Sequence, residues 1–158
     1  MSKPEFVYVT YIETTPEKLW EALTSSAFTR QYWFDTEVRS DWKVGSPFAL
    51  VMGGKVTDTG EILEADRPRR LSYTFKHELM EEMRNEAATK VVFTLAPFGN
   101  LVKLTVTHDE LDERGVTLRN IAGGWPMVMA SLKSLLETGR ELPADLPVVA
   151  TETTCAQA

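Results

Sequence analysis

The sequence predicts an α+β fold in which a run of about six antiparallel strands packs against one long amphipathic helix near the C-terminus. Three observations lead there. First, Trp125, Val128, Met129, Leu132, Leu135 and Leu136 fall at i, i+3, i+4, i+7, i+10 and i+11, one apolar stripe of a helix. Ser131, Lys133, Ser134 and Glu137 occupy its other side. Second, Leu71, Tyr73, Phe75 and His77 alternate with Ser72, Thr74 and Lys76, and Val102, Leu104, Val106 and His108 alternate with Lys103, Thr105 and Thr107. That is the period of a sheet with one buried face. Third, Gly53-Gly54, Arg67-Pro68-Arg69 and Pro97-Phe98-Gly99-Asn100 supply turn chemistry between the apolar segments.

Taken in order, Phe6 to Ile12 is rich in aromatic and β-branched residues and reads as the first strand. Thr15 suits a helix N-cap with Pro16 at the first helical position, and Leu19, Trp20 and Leu23 make a short apolar face. A second short helix is expected from Ser26 or Ala27 toward Trp33. Thr36 to Arg39 forms a brief strand, Asp41 to Pro47 a turn, and Phe48 to Met52 an apolar strand. Lys55 to Glu64 follows, with Gly60 as a candidate bulge. Glu78 to Ala88 breaks the alternation and reads as a mobile loop, with room for a helical turn. Val91, Phe93 and Leu95 begin the hairpin that ends at His108. The last helix starts between Val116 and Trp125 and stops at Gly139, a residue suited to a left-handed cap. Residues 1–142 are expected to form one domain and residues 143–158, rich in Pro, Thr and Ala, a flexible tail.

The bulk properties narrow the function. A chain of 158 residues with 43% hydrophobic content has the size of one globular domain. The net charge of -6 opposes nucleic-acid backbones and anionic lipid, and no basic run with interleaved aromatics is present. Arg67, Arg69 and Arg70 flank Pro68 in a turn, where solvent accounts for them. No apolar run reaches the roughly 20 residues of a membrane span, and Met1-Ser2-Lys3-Pro4 lacks the core of a signal peptide. A cytoplasmic protein is expected, in keeping with the single Cys155, which has no internal disulfide partner.

Several segments together resemble a known family. Residues 15–24 (Thr-Pro-Glu-Lys-Leu-Trp-Glu-Ala-Leu-Thr), Trp33, Val44-Gly45, the strand Gly60 to Glu64, Arg67 to Thr74, Gly124-Trp125 and Leu132 to Glu137 are similar to successive signatures of the SRPBCC (START-like) superfamily. The nearest branch is the one homologous to the activator of the ninety-kilodalton heat-shock protein ATPase. The resemblance covers residues 5–139. It implies a helix-grip fold, a curved antiparallel sheet of about six or seven strands with two short helices and a long C-terminal helix, and a cavity between sheet and helix. Superfamily members bind lipids, sterols, polyketides or other apolar molecules, and a minority are enzymes. Pro126 departs from the family pattern, leaving a continuous helix and one kinked across Gly123 to Pro126 both open.

Within that fold, parity carries His77 and His108 to the side that faces the helix, although each stands at a strand end where a water-facing ring is the alternative. Trp33, Tyr73 and Trp125 stand where the resemblance places the cavity wall, the last two bringing a polar atom. Phe48 and Met129 complete the candidate ligand-binding set, with Phe34, Trp42, Met52, Met80 and Met83 as further apolar lining or core. No nucleophile elbow, phosphate-cradling glycine loop or metal-ligand spacing occurs, and no cofactor is expected. The first expectation is binding of a small apolar or amphipathic molecule without catalysis. A cyclase- or hydrolase-type enzyme using Tyr73, His77 or His108 is the alternative. A co-chaperone-like interaction module comes third, because the branch member with that activity uses a further N-terminal domain. Besides the ligand, a second copy of the chain is kept as a partner, giving a homodimer.

Overall fold

The computed structural model describes residues 5–143. The elements are β1 (Phe6–Ile12), α1 (Pro16–Thr24), α2 (Ser26–Tyr32), β2 (Thr36–Ser40), β3 (Pro47–Met52), β4 (Lys55–Asp66), β5 (Arg70–His77), α3 (Glu81–Arg84), β6 (Thr89–Phe98), β7 (Leu101–Asp109) and α4 (Val116–Thr138). Strands β2 to β7 form an antiparallel meander, and β1 adds to β7, giving a seven-stranded curved sheet in the order β1-β7-β6-β5-β4-β3-β2. Helices α1 and α2 carry the chain from one edge of the sheet to the other. The α+β helix-grip architecture is therefore as the sequence predicts.

Local chemistry fixes the element ends. The Thr15 side chain accepts a hydrogen bond from the Lys18 amide at 3.2 Å, capping α1 with Pro16 behind it. Gly139, at φ 82°, closes α4 in the left-handed conformation and donates to the Leu135 carbonyl at 2.9 Å. Gly60 pairs with Phe48, and a Cβ there would overlap the Thr74 carbonyl oxygen, so close strand approach, rather than a bulge, requires the glycine. The register shift in the β4–β5 pairing lies instead between Ile62 and Glu64. The arginine turn is exposed, with Arg69 paired to Asp66 at 2.9 Å and Arg70 to Glu64 at 2.6 Å.

One face of the sheet and the stripe of α4 make a single core that includes Ile12, Leu71, Phe93, Leu104, Met129 and Leu132, all at most 1% exposed. Helix α4 is longer than its stripe required. It begins at Val116 and runs through Pro126 as one element. Proline has no N–H for the Ala122 carbonyl, but Ala122 is exposed, so water can take that bond. Ser131 departs from its expected polar face. It is wholly buried because the chain after Gly139 folds back, and its hydroxyl accepts the Leu142 amide at 3.1 Å. The segment after β5 contains the one-turn α3. The expected tail lies, from residue 144 onward, outside the described residues, as does Cys155.

Candidate ligand-binding site

Two adjoining cavities open where the N-terminal half of α4 leaves the sheet near β4, β5 and α3. One, of about 220 Å³, is walled by Phe75, Met80, Met83, Asn120, Ile121 and Trp125 together with Trp33, Asp58, His77, Gly124 and Val128. The other, of about 390 Å³, shares those last five residues and continues past Phe34, Leu50, Met52, Leu79 and Met127. The lining is apolar with few polar groups, the ordinary composition of a small-molecule site. Gly124 stands at the junction, and a Cβ there would meet nothing within 4 Å among the described residues beyond its own stretch of helix. A glycine inside a helix costs about 1 kcal/mol relative to alanine. Packing does not require it here; its absent side chain simply leaves the space open.

The segment between β5 and β6 covers one side. Met83 is buried beneath it, and Asn120 of α4 donates to the Met83 sulfur at 2.7 Å. Lys76 donates to the Arg84 and Glu86 carbonyls at 2.7 and 2.9 Å. Helix α4 has Gly115 at its N-cap and no side chain of its own in the capping role. Glu86 supplies the acceptor instead, receiving the Thr117 amide at 3.1 Å and the Thr117 hydroxyl. A carboxylate at a helix N-terminus also meets a favourable dipole. The expected mobile loop is thus tied down at both of its neighbours.

The polar part of the wall is Asp58 with His77, which face each other across β4 and β5. Asp58 Oδ2 lies 3.1 Å from His77 Nδ1, and Asp58 Oδ1 accepts the Thr57 hydroxyl at 2.7 Å. Carboxylate oxygens accept, which makes the Nδ1 of His77 the donor of this bond. Its Nε2 is buried and has no hydrogen-bond partner among the described residues.

The other histidine is different in kind. His108 is wholly buried, so the water-facing alternative does not hold for it. Trp125 Nε1 donates to its Nδ1 at 3.0 Å, its Nε2 bonds Thr89 Oγ1 at 2.6 Å, and Thr89 Oγ1 donates onward to the Phe75 carbonyl at 2.9 Å. The chain runs one way and leaves the imidazole neutral with both nitrogens satisfied. Burial lowers its pKa to about 4, against a smaller opposing effect of Asp109. Such a group holds Trp125 in place and has no free nitrogen for acid–base work. Tyr73 stacks on Phe48 with ring centroids 3.9 Å apart, and burial pushes its phenol above the usual value.

Of the residues singled out from sequence, Trp33, His77 and Trp125 line the cavities, and Trp33 and Trp125 pack together with centroids 5.4 Å apart. The Trp125 polar atom is committed to His108. Phe48, Tyr73 and Met129 line neither cavity and lie in the core, and His108, also outside both cavities, is wholly buried. Asp58 is absent from the residues singled out from sequence, and Gly124 enters there only as part of the family resemblance. Asp58 shares strand parity with Ile62, an acid on a buried face, and that was the available signal. A larger opening of about 790 Å³ lies between α2 and the end of α4, but Arg30, Asp35, Arg140 and Glu141 make it polar and it abuts Pro143, the last described residue. Among the described residues no helix is long and apolar enough to cross a membrane, and no three His, Cys, Asp or Glu side chains converge as a metal site would need.

A curved antiparallel sheet gripping its C-terminal helix over a cavity defines a helix-grip domain of the START-like class. Within that class the chain belongs to the family described as Activator of Hsp90 ATPase homolog 1-like protein, whose sequence model matches residues 13–137. Solved structures agree on the fold. The Aha1 dimer from Colwellia psychrerythraea is similar at 20% identity and TM-score 0.71, over 86% of this chain and 98% of that one. The protein ChR145 from Cytophaga hutchinsonii gives 27% and 0.67, over 86% and 95%. An Hsp90 activator from Plasmodium falciparum gives 21% and 0.65, over 77% and 86%. No protein of curated function matches the chain.

Proposed function

We propose that the protein binds a small apolar or amphipathic molecule in the paired cavities beside α4, in the cytoplasm and without catalysis. The observation that carries this reading is Gly124: the helix holds a glycine where nothing fills the space, at the junction of two apolar cavities. A ligand that binds only the folded chain raises stability by mass action, about 2.7 kcal/mol at a hundredfold excess over its dissociation constant. Thermal shift and native mass spectrometry across lipids and aromatic metabolites should therefore find a stabilising ligand. Gly124→Leu should fill the junction, stabilise the ligand-free protein and abolish the response. A library without any stabilising member, or a full response in Gly124→Leu, counts against the cavity.

A second reading, a protein-interaction module, is favoured by the family's description and by the Hsp90 activator among the similar structures. It has a surface to use. Val7, Val9, Tyr11 and Phe98 are 49, 45, 39 and 59% exposed on β1 and the β6–β7 turn, and Tyr11 meets Phe98 edge-on with centroids 5.3 Å apart. The family favours this reading and the cavity the first. Stimulation of a chaperone ATPase, lost in Val9→Lys and kept in Gly124→Leu, would put the interaction role ahead. A similar structure being a dimer makes a second copy of the chain a candidate for the same surface, and light scattering reads that out.

A further inference from the structure

We infer that the ligand of this cavity carries a weakly acidic hydroxyl, of the phenol or enol kind, which donates its hydrogen bond to His77 Nε2. The inference rests on the binding reading above and adds the polar half of the recognition. His77 is fixed from one side: its Nδ1–H is given to Asp58 Oδ2 at 3.1 Å, and Asp58 is itself held by the Thr57 hydroxyl at 2.7 Å. In the neutral ring Nε2 is then a bare lone pair on the other side of the imidazole. It has no partner among the described residues and is buried, so a ligand group reaches it by displacing the side chain packed over it. A buried polar atom without a partner costs free energy that a ligand group of the right polarity recovers.

The walls of the cavities that His77 lines specify the rest of the molecule. His77 lines both cavities, and its companions are Trp33, Phe75, Met80, Ile121, Trp125 and Val128, aromatic and flexible apolar side chains suited to a flat ring. Among the described residues no lysine or arginine lines either cavity, so a carboxylate or phosphate ligand would be desolvated beside Asp58 with no cation of the wall to neutralise it. A neutral ring-bearing alcohol with an acidic proton meets every feature of the wall.

The experiment compares 2-naphthol, naphthalene and 2-methoxynaphthalene, which differ in having a hydroxyl donor, no polar group, and an acceptor without a donor. In a purely apolar cavity naphthalene binds best, because the hydroxyl must be dehydrated. With His77 Nε2 as acceptor the order inverts, and 2-naphthol should bind roughly tenfold more tightly than either of the others. His77→Phe should remove the preference while naphthalene still binds. Asp58→Asn should reverse it, because the amide NH₂ donates to Nδ1, moves the ring proton to Nε2 and makes 2-methoxynaphthalene the better ligand. The ¹⁵N shifts of the His77 ring report the tautomer in each form. Equal binding of all three by the unaltered protein overturns the hydroxyl assignment and leaves the cavity reading standing. A preference for 2-methoxynaphthalene overturns the tautomer. Failure of all three to bind overturns the hydroxyl assignment, and the cavity reading is then decided by the wider library and by Gly124→Leu.

Discussion

Trp125 Nε1–H donates to His108 Nδ1 over 3.0 Å inside the core, joining the helix that the sheet grips to the last strand of that sheet. The bond makes a histidine part of the packing, and its cost appears in acid. In the unfolded chain a histidine titrates near 6.5, whereas burial brings His108 down to about 4. Between those values the unfolded state binds a proton that the folded state does not, so stability rises with pH across the window. The contribution is complete above pH 6.5 and lost as pH falls to about 4, to the extent of roughly 3 kcal/mol. Urea unfolding at pH 7, 5.5 and 4.5 should follow that slope, and His108→Leu should flatten it. An unchanged slope in the variant would assign the acid sensitivity elsewhere.

The same bond can be cut from the helix side. Trp125→Phe keeps most of the ring and leaves Nδ1 of a buried histidine unsatisfied, which costs about 1–3 kcal/mol beyond the lost packing. In a His108→Leu background no polar atom is stranded, so the second substitution should cost less than it does alone. Chemical denaturation of the four proteins of the cycle measures the coupling, and strict additivity would deny it.

Gly60→Ala should be among the most damaging single-methyl changes in the sheet. The added carbon would overlap the Thr74 carbonyl oxygen, a backbone atom that cannot swing aside. Overpacking of this kind costs about 1–3 kcal/mol or more. A melting temperature close to that of the unaltered protein would mean that β4 and β5 can part locally, and amide exchange at Glu61, whose N–H bonds Thr74 Oγ1 at 2.9 Å, would reveal it.

Glu86→Ala removes the cap that the α3 segment lends to α4. Loss of a helix cap costs about 0.5–2 kcal/mol. Hydrogen exchange should rise at Thr117 and across residues 78–88 more than in the β6–β7 hairpin. Uniform loss of protection would make Glu86 a general stabiliser instead of a tether.

Lys133 and Glu137 of α4 cover part of the free edge of β1. Lys133 donates to the Tyr11 carbonyl at 2.6 Å, and Glu137 accepts the Glu13 amide at 2.8 Å while pairing with Lys133 at 2.7 Å. An open strand edge invites pairing with another chain. Lys133→Ala with Glu137→Ala should change unfolding free energy little, the pair being solvent-accessible, yet raise concentration-dependent association by light scattering. Unaltered association would show that the edge is blunted by other means.

Most of the architecture was legible in the chain because it follows from local periods. The stripe from Trp125 to Leu136, the alternation from Leu71 to His77, the Thr15-Pro16 start and the Gly139 stop each encode their element within a few residues. The lining of the cavities was legible only in part. Trp33, His77 and Trp125 could be named from parity and resemblance, yet the same reasoning placed His108 and Tyr73 beside them. Alternation reports which face a side chain takes and nothing about whether the room beyond it is filled.

What sequence alone determined, then, is the α+β class, the strand order along the chain, the gripping helix and the inward parity of both histidines. Tertiary structure decided which histidine is left with an open nitrogen. The β4–β5 turn begins with Asp66 opposite Arg70, and that register carried onward would set Asp58 against Glu78; the shift between Ile62 and Glu64 sets it against His77. A one-residue slip changes every cross-strand partner beyond it. The slip is a compromise among packed strands, which no local period records.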